Sequence, residues 1–412
     1  MGREPSRPEL ANQRAVRRHN LGVVLRHVAE TGPRSRATIA LETGLNKTTV
    51  SSLVTELIGL DLLVERGLEQ RGTVGRPGQV VELSDGGVAA LGLEINVDYI
   101  AVRALDLTGA ERARAMDARD NREVPASEVL DRLAVLATTA LETVEAQGLR
   151  PVGATVALPG LVDAVRGVLL VAPNLGWTDV AVAEELGERL SRPAFPLDAD
   201  NEANLAALAE LWEGTARGLR DVLYVSGEIG VGAGLIVGGE LFRGAQGFGG
   251  EFGHMTMDPS GRPCACGSRG CLETVAGLES LLANAGLEPS TAATTTGAGE
   301  PVALLASRAR SGDQAALTAL RDCGQWLGIG IASAANLLNF QAVVLGGFFG
   351  QLAAWLASPI TRELDARVLA SDWAVPRLLP STLGPEAAVR GAAALSLRRL
   401  IADPLRAAAE VV

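Results

Sequence analysis

The chain changes character at Ser84-Asp85-Gly86-Gly87, and this break limits what it can fold into. Residues 1–80 carry 12 basic and 8 acidic side chains, a balance of +4. The net charge of the 412-residue chain is −11, so the other 332 residues carry −15 (−11 − 4). A basic segment joined to an acidic one favours an anionic partner for the first segment alone. The sequence therefore predicts a head that binds an anionic partner, followed by a large acidic body.

The first 60 residues carry the pattern of three helices. Residues 1–13 are polar with two prolines and are predicted to form a flexible arm, and apolar spacing predicts a helix over 14–30. Ser35 is suited to cap a second helix and Asn46 a third, because both side chains accept hydrogen bonds from the free N–H groups of a helix start. Gly44 between them supplies the tight turn that is typical of a helix-turn-helix.

The third helix is the predicted DNA-reading element. Its apolar residues face inward, which leaves polar side chains outward near its N-terminal end, where such a helix contacts base edges in the major groove. Strands predicted at 62–65 and 79–83 enclose an arginine- and glycine-rich wing, whose Arg76 is suited to a narrow A·T-rich minor groove. Residues 14–84 are thus predicted to be a winged helix-turn-helix domain that binds double-stranded operator DNA; a helical hairpin for protein contacts is the alternative. The candidate DNA-binding residues are Asn46, Lys47, Thr48, Ser51, Ser52 and Arg76.

The body, residues 88–412, alternates candidate strands with candidate helices. Strands are predicted at 90–95, 99–105, 152–156, 221–225, 234–237 and 342–345. Helices are predicted at 124–147, 180–190, 204–214 and 315–338. This alternation favours an α/β body with mostly parallel strand pairing.

The composition narrows the class of protein. Hydrophobic residues make up 47% and charged residues 21%, which excludes a disordered or fibrous chain. The sequence has no apolar run of 18 residues and no apolar leader behind a basic start, so we expect a cytoplasmic protein with no membrane partner. Four cysteines suit a reducing compartment.

Three of the four cysteines crowd together with a histidine. His254, Cys264, Cys266 and Cys271 have the spacing H-x9-C-x-C-x4-C, and four such ligands suit a closed, tetrahedral Zn²⁺ site. The sequence predicts one structural zinc ion per chain, with a disulfide or buried thiols as alternatives. Cys323 falls in a helical stretch and is predicted to be a core residue.

The same region carries a family signature. Glu251-Phe252-Gly253-His254 after two glycines, then Cys264-Ala265-Cys266-Gly267 and Gly270-Cys271-Leu272-Glu273, resemble the signature of the ROK family (repressors, open reading frames and kinases). Ala157-Leu158-Pro159-Gly160, Ala172-Pro173-Asn174, Asn201-Glu202-Ala203-Asn204 and Leu345-Gly346-Gly347 match further landmarks in the family's order. The likeness covers nearly the whole chain, including the head that the repressor branch carries.

The resemblance implies an actin-like, sugar-kinase-like fold, with two α/β lobes, a sugar cleft between them and a zinc loop over 251–273. The implied sugar contacts are Gly160, Asn201, Glu202, Glu251, His254 and Glu273. Their chemistry agrees, because sugar hydroxyls need several carboxylates and amides as partners. The histidine would hold zinc with one nitrogen and a sugar hydroxyl with the other.

Three departures from the family's kinases argue against catalysis. Where those kinases have a D-x-G-G-T-K phosphate loop, this chain reads Glu94-Ile95-Asn96-Val97-Asp98-Tyr99, and a second loop reads Glu228-Ile229-Gly230-Val231-Gly232 instead of G-T-G-x-G. Lost glycines and an added carboxylate remove the backbone cradle for phosphate. The aspartate base of the kinases is replaced by Glu202.

These features predict a sugar-responsive transcriptional regulator, most simply a repressor and not an enzyme, which a sugar or sugar-phosphate effector releases from its operator. Two-fold operators imply a homodimer or homotetramer. One alternative is an ATP-dependent sugar kinase with an attached regulatory DNA-binding head. Another is a constitutive DNA-binding scaffold with an empty cleft.

Overall fold

The head consists of three helices and a small sheet. The computed structural model describes residues 7–68, 79–191, 193–288 and 299–407. The head elements are α1 (Arg7–Thr31), β1 (Arg34–Ser35), α2 (Arg36–Thr43), α3 (Lys47–Gly59), β2 (Leu63–Leu68) and β3 (Gln79–Leu83). The three strands form an antiparallel sheet in the order β1-β3-β2.

The predicted helix caps are confirmed. The Ser35 hydroxyl accepts a hydrogen bond from the N–H of Thr38, and Asn46 Oδ1 accepts one of 2.7 Å from the N–H of Thr49. Gly44 ends α2 in the left-handed conformation, with φ +73°. The chain therefore turns from α2 into α3 as a helix-turn-helix requires.

The flexible arm over 1–13 is corrected by the structure, because α1 begins at Arg7. Proline is tolerated in the first turn of a helix, where its missing N–H would have no partner. The proline at position 8 therefore does not prevent helix formation, and only residues 1–6 lie outside the described part of this segment.

The first lobe of the body is built on a five-stranded sheet in the order β11-β7-β4-β5-β6. A three-stranded antiparallel sheet, β10-β9-β8, lies beside it. The elements are β4 (Val88–Ile95), β5 (Ile100–Asp106), β6 (Glu111–Asp117), α4 (Ala126–Ala146), β7 (Arg150–Leu158), β8 (Leu161–Asp163), β9 (Val168–Ala172), β10 (Trp177–Val180), α5 (Val182–Arg189) and β11 (Leu197–Asn201).

The second lobe is built on another five-stranded sheet, in the order β14-β13-β12-β15-β16. Its core packs these strands against the long helices α10 and α12. The remaining elements are α6 (Glu202–Trp212), β12 (Val222–Gly227), β13 (Val231–Val237), β14 (Glu240–Leu241), α7 (Glu273–Ala276), α8 (Leu278–Asn284), α9 (Gly299–Arg310), α10 (Gln314–Leu338), β15 (Ala342–Gly346), α11 (Gly347–Gln351), α12 (Ala353–Arg367), β16 (Arg377–Pro380) and α13 (Ala387–Ala402).

The expectation of mostly parallel pairing is wrong. Each five-stranded sheet has two parallel and two antiparallel pairings among its described strands. The links between β4, β5 and β6 contain four residues each, over 96–99 and 107–110. A parallel crossover needs a dozen residues or more, so such short links impose hairpins.

The last helix joins the lobes to the head. One face of β4 packs on α4 and the other on α13, which also packs against α6 and α1. Leu21 and Leu25 of α1 share one buried core with Leu397 and Leu400 of α13. Arg18 of α1 forms a two-contact ion pair with the Asp403 carboxylate just after α13. The head and the body are therefore packed together rather than merely tethered.

None of the helices in the described ranges is long and apolar enough to cross a membrane.

Candidate functional site

A cleft between the two lobes holds about 770 Å³ of space, part of it open to solvent. Its walls come from the β4–β5 turn, the ends of β7 and β11, the start of α6, the β12–β13 turn and the loop around 251–273. The six predicted sugar contacts all line it: Gly160, Asn201, Glu202, Glu251, His254 and Glu273.

Gly160 and Asn201 hold the backbone and side chains of the cleft in place. Gly160 has φ +98°, and a Cβ there would lie 2.3 Å from the carbonyl oxygen of Val171, so only glycine fits. The Asn201 side chain caps α6 through its Oδ1, while its Nδ2 donates to the Gly160 carbonyl and to Glu202 Oε2, both at 3.0 Å. Asn201 thereby fixes the strand end, the helix start and the Glu202 carboxyl in one geometry.

Glu202 is the central acid of the cleft. Burial raises its pKa well above the ordinary range, and the nearby carboxyls of Glu94, Glu228 and Glu251 raise it further. A carboxyl held neutral at neutral pH can both donate and accept hydrogen bonds, which suits a sugar hydroxyl. The same neutral carboxyl is a poor acceptor for the proton of a reacting hydroxyl.

The two altered loops meet at the inner end of the cleft. Burial raises the pKa of Glu94 to about 7 and that of Glu228 to about 8, and Asp98 adds repulsion to both. In the first loop the N–H of Asn96 donates to the Tyr99 carbonyl, and the N–H of Val97 donates to Asn96 Oδ1. These two backbone N–H groups already have hydrogen-bond partners and lie near acidic side chains, so they are not available to bind a phosphate.

His254, Cys264, Cys266 and Cys271 bring their ligand atoms within 4.8 Å of one another. The Cys266 and Cys271 sulfurs are 3.8 Å apart, and His254 Nδ1 is 3.7 Å from Cys264 Sγ. Two sulfurs bound to zinc at 2.3 Å in tetrahedral geometry would be about 3.8 Å apart, whereas a disulfide needs about 2.05 Å. The cluster can hold a metal ion and fits zinc, and all four cysteines of the chain are free thiols.

The group formed by His254 and the three cysteines adjoins the cleft through two side chains. His254 directs Nδ1 toward the sulfurs, and its Nε2 lies 4.0 Å from the Glu251 carboxylate. Glu273 Oε1 accepts a 2.7 Å hydrogen bond from the Cys264 thiol. The loop that carries Glu251 and Glu273 is therefore pinned beside the cluster. Cys323 is buried on α10 away from it, as expected for a core residue.

On the head, five of the six predicted DNA contacts share one exposed edge. Asn46, Lys47, Thr48, Ser51 and Ser52 are exposed, whereas Val50, Leu53, Val54 and Leu57 of the same helix are buried. The sixth, Arg76, and most of the wing loop lie outside the described residues. The arrangement leaves the N-terminal end of α3 open to a partner.

Two arginines on this edge were missed by the sequence analysis. Arg36 donates to the Ser51 carbonyl at 2.8 Å and to its hydroxyl at 3.0 Å, and Arg17 donates to the Ser52 hydroxyl at 3.2 Å. Each guanidinium also pairs with a carboxylate of the head, Arg36 with Glu65 and Arg17 with Glu56, so the two arginines position the serines. They lie 15 and 35 residues away along the chain, so helical periodicity could not reveal the contact.

Comparisons with known proteins agree with this geometry. The model of the ROK family matches residues 90–399. The putative xylose repressor of Caldicellulosiruptor sp. (strain Rt8B.4) is 30% identical over 405 residues, which cover 96% of this chain and 99% of that protein. The crystal structure of a ROK family transcriptional regulator, a homologue of the E. coli MLC protein, matches with a TM-score of 0.78 at 26% identity and covers 95% of this chain and 98% of that one.

A kinase relative matches less of the chain. The crystal structure of a ROK family glucokinase from Streptomyces griseus, in complex with glucose and AMPPNP, has a TM-score of 0.64 at 28% identity. It covers 74% of this chain and 98% of the kinase. The regulators thus match head and body together, whereas the kinase matches about three quarters of the chain.

Proposed function

This chain belongs to the ROK family, and from that membership we propose that it is a sugar-responsive transcriptional repressor. It binds operator DNA through its winged helix-turn-helix and a sugar through the cleft between its lobes. The observation that carries the proposal is the union of the two sites in one packed unit, because α13 contacts both the DNA-reading head and the helix that begins in the cleft.

The DNA-binding surface proposed for the head is the exposed edge of α3. Lys47 supplies charge for a phosphate contact. The small hydroxyl side chains of Ser51 and Ser52, held by Arg36 and Arg17, permit close approach to base edges. A two-fold operator would engage two heads, so the active form is proposed to be at least a dimer.

The sugar-binding residues proposed for the cleft are Glu202, Glu251, His254 and Glu273, held in place by Gly160 and Asn201. One structural Zn²⁺ would be bound by His254 and the three cysteines around it. His254 would hold the ion through Nδ1, which leaves its Nε2 for a sugar hydroxyl, and the bound ion would brace the loop that carries Glu251 and Glu273.

Catalysis of sugar phosphorylation is not part of the proposal. Where the family's kinases carry their phosphate loops, this chain has Glu228 on the cleft wall, with the buried carboxyls of Glu94 and Asp98 close to it. A phosphate about 4 Å from one ionised carboxylate would cost about 4 kcal/mol at an effective dielectric near 20, which is about a thousandfold in affinity. Glu202 in the place of the catalytic aspartate has its proton held by burial.

The signal would travel through packed helices. Asn201 and Glu202 form the start of α6, and α6 packs against α13 so closely that a Cβ on Gly391 would lie 2.0 Å from the Leu205 carbonyl oxygen. The far end of α13 packs on α1 of the head. A sugar that shifts α6 would therefore shift α13 and the head with it. A coupling of about 1–3 kcal/mol suffices for regulation.

The test is a titration of operator binding with sugars. A fixed amount of the full chain and labelled operator DNA is titrated with monosaccharides, and binding is followed by gel shift or fluorescence anisotropy. We expect one sugar to weaken operator binding about 5–150-fold. If no sugar alters operator affinity, the sensor role is wrong.

Two further measurements separate the alternatives. Turnover of ATP with any sugar in a coupled assay would favour the kinase with a regulatory head. A constitutive DNA-binding scaffold would show no rise in melting temperature with any sugar, whereas a sensor must show one, because a ligand that binds the native state stabilises it.

A further inference from the structure

The ionisable side chains that line the cleft are almost all acidic. None of the described residues that line it is an arginine or a lysine, and His254 directs Nδ1 toward the cysteine sulfurs. The acids that line it are Glu202, Glu228, Glu251 and Glu273. A ligand in this cleft therefore meets four carboxyl groups and no permanent cation.

Another carboxyl group, that of Glu94, is buried behind the wall of the cleft near Glu228. Glu94 lies behind the cleft wall with 2% of its surface exposed, and its Oε2 has no hydrogen-bond partner among the described residues. Its Oε1 accepts a 2.7 Å hydrogen bond from Tyr99, and Asn96 lines the cleft above it. Burial and mutual repulsion raise the pKa of Glu94 to about 7 and of Glu228 to about 8.

From this geometry, and resting on the proposed sensor function, we propose that the effector is a sugar without negative charge and that sugar phosphates are excluded. Neutral hydroxyl groups find donors and acceptors on carboxyls and amides, whereas a phosphate needs cations or free backbone N–H groups. The repressor would then respond to the free sugar, before the phosphoryl-transfer step that consumes it.

One cation lies close enough to challenge this proposal. The cleft continues into an outer chamber of about 720 Å³, lined by Arg262, Glu279 and Ser280 and sharing Asn174 and Glu273 with the cleft. The Arg262 guanidinium already donates to the Thr274 carbonyl and, at 2.7 Å, to the Ser280 hydroxyl. It braces the chamber wall, and two carboxylates in the same chamber oppose an anion there.

The size of the discrimination follows from Coulomb's law. One phosphate charge at about 6 Å from one ionised carboxylate, at an effective dielectric near 20, weakens binding about 100-fold. Ionic strength reduces this repulsion, since the Debye length is about 8 Å at 0.15 M salt. We therefore expect the phosphorylated form of any sugar that binds to be at least tenfold weaker, with the discrimination largest at low salt.

The experiment compares matched pairs by isothermal titration calorimetry on the full chain. Glucose, mannose and N-acetylglucosamine are each titrated beside their 6-phosphates, and xylose beside its 5-phosphate, at low and at physiological salt. The expected result is tighter binding of the free sugar and a phosphorylated form whose affinity rises with salt. Equal or tighter binding of a phosphorylated sugar overturns the proposal, as does binding of one that weakens with salt.

Substitutions test which residues cause the preference for the free sugar over its phosphate. At pH 9, above the pKa of Glu228 at about 8, Glu228→Gln should narrow the ratio of the dissociation constants of the phosphorylated and the free sugar about tenfold, because it removes one repelling charge. Glu142→Gln, the same change at an exposed position of α4 that lines neither cavity, should leave the ratio unchanged. Should Glu228→Gln fail to fold, the salt dependence of the wild type decides. A phosphorylated sugar whose binding is lost in Arg262→Gln would also refute the exclusion.

The two proposals fail in different ways. If neither member of any pair binds, the sensor function fails and the charge selection fails with it. If phosphorylated sugars bind and weaken operator affinity, the sensor function stands and the charge selection alone is wrong.

Discussion

Replacing Glu228 by glutamine should make the protein more stable at alkaline pH. Burial and the nearby acids Glu94 and Asp98 raise the pKa of Glu228 from 4.5 to about 8. Between these two values the folded chain keeps a proton that the unfolded chain releases. The free energy of unfolding must therefore fall as pH rises through this range, and a glutamine that cannot ionise removes that loss.

The pKa shift sets the magnitude. Each pH unit between the two pKa values costs about 1.4 kcal/mol per group, so Glu228 alone can lower the free energy of unfolding by about 2.7 kcal/mol between pH 6 and pH 9. Because Glu228 lines an open cleft, water reduces the effect, and we expect about 1–3 kcal/mol. The gain in melting temperature from Glu228→Gln should therefore be several degrees larger at pH 9 than at pH 6.

The assay is a set of thermal melts of wild type, Glu228→Gln and the exposed control Glu142→Gln at half-unit steps from pH 6 to pH 9. The informative quantity is the difference in melting temperature between each variant and wild type, because contributions common to all three proteins cancel. A difference that stays flat with pH for Glu228→Gln, or that matches the control, would refute the placement of this carboxyl among like charges.

Three more perturbations test other parts of the molecule. Cys266→Ser should release zinc and weaken the sugar response while operator binding without sugar persists; unchanged zinc by elemental analysis would contradict it. Arg76→Ala should weaken operator binding most at A·T-rich sites, and equal loss on every sequence would indicate only a phosphate contact. Leu400→Ala should leave a cavity between head and body and reduce the sugar response of operator binding. The control Leu356→Ala, in the core of the second lobe, should destabilise the protein by a similar amount but leave the sugar response intact. An equal loss of sugar response in the two variants would contradict the proposed coupling through α13.

Local chemistry made much of the fold predictable. The Ser35 and Asn46 caps and the tight turn at Gly44 each depend on a few neighbouring residues, so the sequence alone revealed them. The spacing of the three cysteines and His254 predicted their assembly for the same reason. The sugar contacts came from a family resemblance, and the cleft unites them because strand ends and helix starts converge there.

What the sequence did not reveal depends on distant contacts. The contacts of Arg17 and Arg36 with α3 join residues far apart in the chain. Strand direction was misjudged because periodicity reports which residues are buried and not how strands pair. The role of Asn201 as a cap, rather than as a free amide for the ligand, required the positions of Gly160 and Glu202 as well.

The core shared by α1 and α13 has a consequence for how such a regulator can be divided. A fragment that ends at Ser84 would expose Leu21 and Leu25 to water, and a body without the head would expose Leu397 and Leu400. Both halves would therefore leave part of this shared core in water, although the body keeps other cores made of its own residues. A body separated from its head would therefore expose an apolar face to other molecules, and we expect the intact chain to be more soluble than either fragment.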